Sequence, residues 1–304
     1  MLKFEDCCEK AENIPSDLLK ITNLFKDWRD FIFDIYNELL HENRTTNNIV
    51  NDGLVNPVIG CLIFEIVTTL DGLYVLAAKN SFESIPVLTR KFLEITTQII
   101  FILKDDSYTK ALVYELKEIS FLSQQTRSDC LSSLKQVLNN DYKVDDYNKT
   151  INNLIKNNKY YDWYKIYDIQ LNSFQKLYEC IDTNSQYPSS KDIWQKMYGT
   201  LSRTSHGFIA GKNIIAIGSS NVLNSYRFPY DISFSVLVVQ YMGENLINSL
   251  NAYYNVLNKA KIELFFHKQK TLYLQIVDAE QLFYANTKRK LKSIDRERKR
   301  AVKK

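Results

Sequence analysis

Two apolar runs follow one another almost without a break, and they constrain this chain more than any other feature. The first is Val58–Ala78, VIGCLIFEIVTTLDGLYVLAA. The second is Ser84–Lys104, SIPVLTRKFLEITTQIIFILK. Each is too long for a strand and apolar on nearly every face, the pattern of a buried helix. A short link between two such helices predicts antiparallel neighbours in a core. The first run is long enough to cross a bilayer, but it carries Glu65 and Asp71 well inside it. Each acid costs on the order of 3 kcal/mol at a bilayer centre, so a core helix is the better reading.

The rest of the chain supports an all-α protein, a multi-helix bundle with long central antiparallel helices and a C-terminal basic helical tail. Only 8 glycines and 5 prolines occur in 304 residues, and scarce breakers favour long helices. Ile14-Pro15-Ser16-Asp17 reads as a helix entry with Ser16 as N-cap. The helix that follows, Leu18–Glu42, has an apolar stripe at Leu18, Ile21, Leu24, Phe25, Trp28, Phe31, Ile32, Ile35 and Leu39. Asp105-Asp106-Ser107 reads as the cap of a helix Tyr108–Leu122, with Leu112, Leu116 and Ile119 on its inner side and Lys110, Glu115, Lys117 and Glu118 on its outer side. Weaker periodicity marks helices near Ser128–Leu138, Val144–Asn157 and Leu171–Ile181. The aromatic run Tyr160–Tyr167, YYDWYKIY, reads as a packed patch. Asp192–Ala210 and Ile232–Leu257 are further helices, and Lys212–Arg227 is the non-helical segment between them. A last helix starts near Ala260. These elements divide into an N-terminal helical extension (1–54), a helical core (55–260) and a C-terminal helix with a basic tail (261–304).

The net charge is +4. Asn286–Lys304 alone carries ten basic and two acidic residues, or +8, leaving −4 for everything else. Such a tail fits contact with the phosphates of RNA or another nucleic acid, or with an acidic protein partner, as well as it fits a solvated helix end. It lacks the large apolar residues of a membrane-surface helix. Five cysteines without a CxxC pair (Cys7, Cys8, Cys61, Cys130, Cys180) suit free thiols in a reducing cytoplasm, and MLKFEDCCEK is too charged for a signal peptide. No phosphate loop, metal motif or nucleophile elbow appears, so neither a metal nor a cofactor is expected. Self-association is left open.

The chemistry-bearing residues concentrate on two helices. Arg90 and Glu94 lie one turn apart on the second apolar run, where an unpaired charge would cost several kcal/mol. Tyr198, Ser202 and His206 recur every four residues on the other helix, with Arg203 and Ser205 beside them. His206 is one of three histidines, with His41 and His267, and is the natural titrating group for acid–base work. The plain alternative is a structural ion pair that fixes helix register, joined by the Ser-His pair and by Glu65 from the preceding helix.

VLTRKFLEI followed far downstream by YGTLSRTSHG resembles a family of helical prokaryotic proteins called domain of unknown function 5677. In that family an R-x-x-x-E helix precedes a Y-x-x-L-S-x-x-x-H helix, and the matching residues here are Arg90, Glu94, Tyr198, Ser202 and His206. The resemblance covers roughly residues 55–260. It implies a helical bundle with these polar residues clustered, and brings no reaction with it. A looser similarity is to HEPN ribonucleases, helical bundles that cleave RNA without metal using an Arg followed by four to six residues and then a His. Here Arg203 and His206 are separated by only two residues, so the cation would come from Arg90. The expectation is a metal-independent RNA-cleaving effector of toxin or phage-defence type. Arg90, Glu94, Ser202 and His206 would be its catalytic centre. Tyr198, Arg203, Lys288, Arg289, Lys290, Arg296 and Arg298 would contact substrate. The alternative is a non-catalytic helical binding module in which the centre is structural or holds a small anion or nucleotide.

Overall fold

A computed structural model describes residues 19–45, 54–79, 81–157, 159, 161–181, 198–199, 201, 214–217, 220–223, 232–255 and 258–302. Its helices are α1 (Lys20–Thr45), α2 (Val55–Ala78), α3 (Ile85–Lys104), α4 (Ser107–Ile119), α5 (Gln124–Val137), α6 (Tyr142–Lys156), α7 (Trp163–Tyr167), α8 (Phe174–Ile181), α9 (Ile232–Tyr254) and α10 (Lys259–Val302). A 3-10 turn, Phe82–Ser84, leads into α3. Among the described residues the fold is all-α but for one short hairpin, β1 (Ile214–Ile217) and β2 (Ser220–Leu223). It is antiparallel, with Ile214 opposite Leu223 and Ile217 opposite Ser220, and falls inside the segment expected to be non-helical. The Ser16 cap and most of the Asp192–Ala210 helix lie outside the described residues.

The first three helices run up, down and up, as two sets of contacts show. Arg29 of α1 reaches Asp71 of α2 at 2.6 Å, and Tyr36 of α1 meets Phe64 of α2. On α2 and α3, Lys91 reaches Glu65 at 2.9 Å, and Gly72 lies against Leu88. Numbers that rise on one helix as they fall on the other mean antiparallel packing. The α1 stripe from Ile21 to Leu39 is buried. Among the described residues α2 alone is long and apolar enough to cross a membrane. Here it packs on α1 and α3 with Leu62, Ile63, Ile66, Leu70 and Leu73 at 2% exposure or less.

The hub is α3, which touches α2, α4, α8 and α9. Its buried Thr89, Thr96 and Thr97 return their hydroxyls to the carbonyls of Ile85, Phe92 and Leu93. A threonine bonded back one turn brings no unsatisfied donor into the core, so the threonine-bearing side of α3 can be buried despite its polar content. α10 runs back along α1: Lys261 bonds Glu38, Phe265 stacks on Phe31 and Lys268 bonds Asp27. Further along α10, Glu280 accepts the backbone N–H of Ile232 at 2.8 Å, satisfying a donor in the first turn of α9. One buried cluster joins all of these helices.

α4 departs from expectation. Lys110 and Lys117, assigned to an outer polar side, are 3% and 8% exposed. The helix is enclosed by α2, α3, α6 and α7, so it has little outer side. Lys110 copes by donating to the Phe101 carbonyl at 3.0 Å, in the last turn of α3, with its ammonium over the Phe101 ring. That carbonyl is one of those a helix end leaves unpaired. Burial nevertheless pulls the Lys110 amine below its ordinary range. Nor does the Asp106 side chain cap α4: the residue has left-handed backbone, and its carboxylate accepts from Tyr167. The side-chain cap appears at α6, where Asp141 accepts the Lys143 N–H.

Candidate functional site

α3 carries a polar stripe, Arg90, Glu94 and Gln98, spaced by four residues and hence on one side of the helix. Arg90 Nε donates to Glu94 Oε1 at 2.9 Å. An Arg90 terminal nitrogen donates to the Tyr198 hydroxyl at 2.7 Å, and the guanidinium carbon lies 4.7 Å from the Tyr198 ring centroid. The Tyr198 hydroxyl also hydrogen-bonds Glu94. The three side chains therefore close a ring. The phenol accepts from the cation and donates to the carboxylate, which itself accepts from the cation. The outer face of Tyr198 is covered by Phe174 of α8, stacked at 5.4 Å. Three segments far apart in sequence thus converge on one guanidinium.

The electrostatics follow from this ring. Burial opposes the charge on Arg90, but the hydrogen bond and negative charge of Glu94 outweigh it and hold the guanidinium above its ordinary value. Burial raises the Tyr198 phenol, Glu94 raises it further, and Arg90 pulls the other way with a smaller effect. Tyr198 is therefore a neutral hydrogen-bonding group at any ordinary pH.

Two expectations need correction. Arg90 and Glu94 were expected in a fully enclosed environment, yet their side chains are 20% and 32% exposed. The reason is that their stripe faces α8 and the Tyr198 segment at the edge of the bundle, while the opposite side of α3 is buried against α2 and α9. Glu65 does not join the centre; it pairs with Lys91 at 2.9 Å. Asp71 of the same helix is held by Arg29.

The sequence reading missed an adjoining set of residues. Trp163 of α7 donates its indole N–H to Gln98 Oε1 at 2.9 Å, one turn beyond Glu94. The next residue, Tyr164, is 6% exposed and donates to Asp162 at 2.7 Å. Burial, then Asp162, push the Tyr164 phenol well above its ordinary range, with smaller contributions from Tyr198 and Glu94. The described part of the YYDWYKIY run, residues 161–167, is a packed aromatic patch, with Trp163 against Phe101, Tyr114 and Tyr164, and through Trp163 and Gln98 it adjoins the polar centre. Gln98 was findable as the next step of the four-residue stripe. No spacing rule points to Trp163, 65 residues away.

Ser202, Arg203 and His206 lie outside the described residues. Lys288, Arg289, Lys290, Arg296 and Arg298 all fall on α10, and Arg296 is exposed. Among the described residues no group of three or more His, Cys, Asp or Glu could hold a metal ion. Cys61, Cys130 and Cys180 are free thiols.

A family model described as "Family of unknown function (DUF5677)" matches residues 56–215, more than half of the chain. The match includes both the Arg90-Glu94 helix and the Tyr198–His206 stretch. No curated protein and no solved structure matches the chain.

Proposed function

The chain belongs to the DUF5677 family of unknown function, and on that premise we propose that it is an RNA-directed helical effector, of toxin or phage-defence type, acting in the cytoplasm. It holds RNA through the basic end of α10 and cleaves it without a metal. His206 takes the proton of the attacking 2′-hydroxyl, whose oxygen bonds to phosphorus, and a proton is returned to the departing 5′-oxygen. Arg90 balances the charge that builds on the phosphate, Glu94 orients Arg90, and Ser202 positions the substrate. The observation that supports this reading is Arg90 itself. It is a mostly buried guanidinium that keeps one-fifth of its side chain exposed, and its plane is fixed in advance by Glu94 on one edge and Tyr198 on another. A preoriented cation at the rim of a bundle is what phosphate recognition uses.

His206→Ala tests it. With total cellular RNA as substrate, cleavage should fall by at least about 100-fold, the usual contribution of a general acid–base group, while the melting temperature stays within a few degrees. Cleavage equal to that of the unaltered chain refutes the catalytic role.

One observation favours a second reading, a non-catalytic binding module. The Arg90–Glu94–Tyr198 ring satisfies its own hydrogen bonds and ties α3 to a distant segment, as a purely structural lock does. If that is its whole purpose, the unaltered chain shows no turnover. Tyr198→Phe, which keeps the ring stack and removes the bridging hydroxyl, then costs about 1 kcal/mol of stability.

A further inference from the structure

α10 is 44 residues long, against 26 for α1, the next longest described helix. The extra 18 residues amount to about 27 Å at ~1.5 Å per residue. Among the residues whose burial is described, those of α10 buried against the other helices run from Ile262 to Glu280. The basic run follows on the same unbroken helix, so helical geometry fixes how its residues are arranged. Lys288, Lys292, Arg296 and Lys299 are spaced by four, four and three. At about 100° per residue they keep within roughly 80° of one another around the axis. Arg289 and Arg300 extend the same side on one flank. The other two cations of the basic run that lie on the helix, Lys290 and Arg298, fall outside this arc. Asp295 lies at the edge of the row, three residues after Lys292 and four before Lys299; Glu297 is on the opposite side.

We propose that this row is a backbone-binding rail for a nucleic-acid duplex, a proposal that rests on the RNA reading above for its partner but not on cleavage. The four cations of the row span about 16 Å of helix. A duplex presents a negative charge roughly every 1.7 Å along its axis and is rigid, so a straight row meets several phosphates at once without bending its partner. The rail carries no base-reading geometry, and binding through it is independent of sequence. Asp295 weakens it from within.

The test uses the full chain and a labelled RNA duplex of about 16 base pairs, with binding measured across salt concentrations. Two double variants remove the same charge from the same helix. Lys292→Gln/Arg296→Gln strikes the row, and Lys259→Gln/Lys270→Gln strikes off it, at two exposed cations of α10 outside its basic end. The row pair should lose affinity by at least about tenfold and flatten the log–log salt dependence by about 1.8, or ~0.9 per lost phosphate contact. The off-row pair should change neither by more than a small fraction of this, and Asp295→Asn should bind more tightly. Circular dichroism checks that all variants stay helical. Equal losses in the two pairs overturn the rail, because charge alone would then suffice. A single strand of equal length bound as tightly as the duplex overturns the duplex assignment, as does an acidic peptide that competes on equal terms. The cleavage reading fails separately: row-dependent binding with no cleavage retires His206 chemistry and leaves the rail standing.

Discussion

Gly243 of α9 tests how tightly the core is closed around α1. A Cβ built there would come within 2.4, 2.7 and 2.9 Å of three atoms of the Trp28 indole. Ordinary carbon contacts are ~3.5–4.0 Å, so Gly243→Ala creates an overlap of about 1 Å with a rigid ring. The ring has nowhere to go. Trp28 is fully buried, with Phe265 edge-on at 4.9 Å and Phe266 at 6.3 Å. Overpacking of this kind costs ~1–3 kcal/mol, and three close atoms place it at the upper end. Replacing a mid-helix glycine returns about 1 kcal/mol. The expected net loss is therefore ~2 kcal/mol, read as a lower midpoint in urea unfolding at unchanged slope. Gly60 supplies the control, since a Cβ there would meet only Tyr36 at 3.7 Å. Gly60→Ala should be neutral or stabilising by up to about 1 kcal/mol. In a Trp28→Phe background the Gly243→Ala penalty should shrink by at least ~1 kcal/mol, because the overlapping atoms all belong to the six-membered part of the indole. Equal stability of Gly243→Ala and Gly60→Ala, or strict additivity with Trp28→Phe, would refute the account of the α1–α9 approach.

Other expectations are simpler to state. Glu280→Ala should destabilise by about 1–2 kcal/mol in thermal or urea melts, because the buried Ile232 N–H loses its acceptor; Glu280→Gln, which keeps an acceptor oxygen, should recover part of this. Lys110→Ala should cost about 2 kcal/mol by removing a buried alkyl stem, while Lys110→Met, which retains the stem, should cost less than half as much. Burial lowers the folded-state pKa of Lys110. Between that value and its ordinary one the unfolded chain holds more protons, so stability should rise with pH across this window, and Lys110→Met should lack the rise. Tyr167 acts in the opposite sense. Burial and then Asp106 push its phenol up to about 12, so its contribution is intact below pH ~10 and lost as pH climbs towards 12. Tyr167→Phe should flatten the alkaline limb of the unfolding curve.

The parts of the fold legible in the sequence are those governed by local periodicity. The α1 stripe, the α2–α3 pair and the long last helix each follow from apolar spacing, because an apolar face has only the core in which to bury. α4 was misjudged for a physical reason: Lys110 and Lys117 are amphipathic, and a lysine can lay its stem in a core when a helix end supplies a carbonyl for its ammonium. Nothing local announces that the end of α3 will be there to receive it. The same applies to the start of α5, at Gln124 where Ser128 was expected, since QQTR carries no cap or apolar signal.

The candidate site divides along the same line, and the division says what kind of site it is. Arg90 and Glu94 were visible together because residues four apart on a helix must be neighbours. Tyr198 was visible because it begins a four-residue stripe. Their union across 108 residues followed from a scarcity argument: charges on a helix apolar elsewhere need partners, and few polar stripes exist to supply them. Trp163, Tyr164 and Phe174 could not be reached that way, because their rings bury in any apolar setting and no spacing says which polar group will take up the Trp163 indole N–H or the Tyr164 hydroxyl. Yet they decide the character of the centre. Phe174 covers one face of Tyr198, and Trp163 fixes Gln98 beside Glu94. Arg90 is thus hemmed in by aromatic groups on the flank facing α7 and α8. Substitutions at Gln98 or Trp163 should therefore disturb the orientation of Arg90 without touching any ligand. Substitutions at Ser202 or His206 should affect a ligand without moving Arg90. That contrast separates a positioned cation from a structural lock.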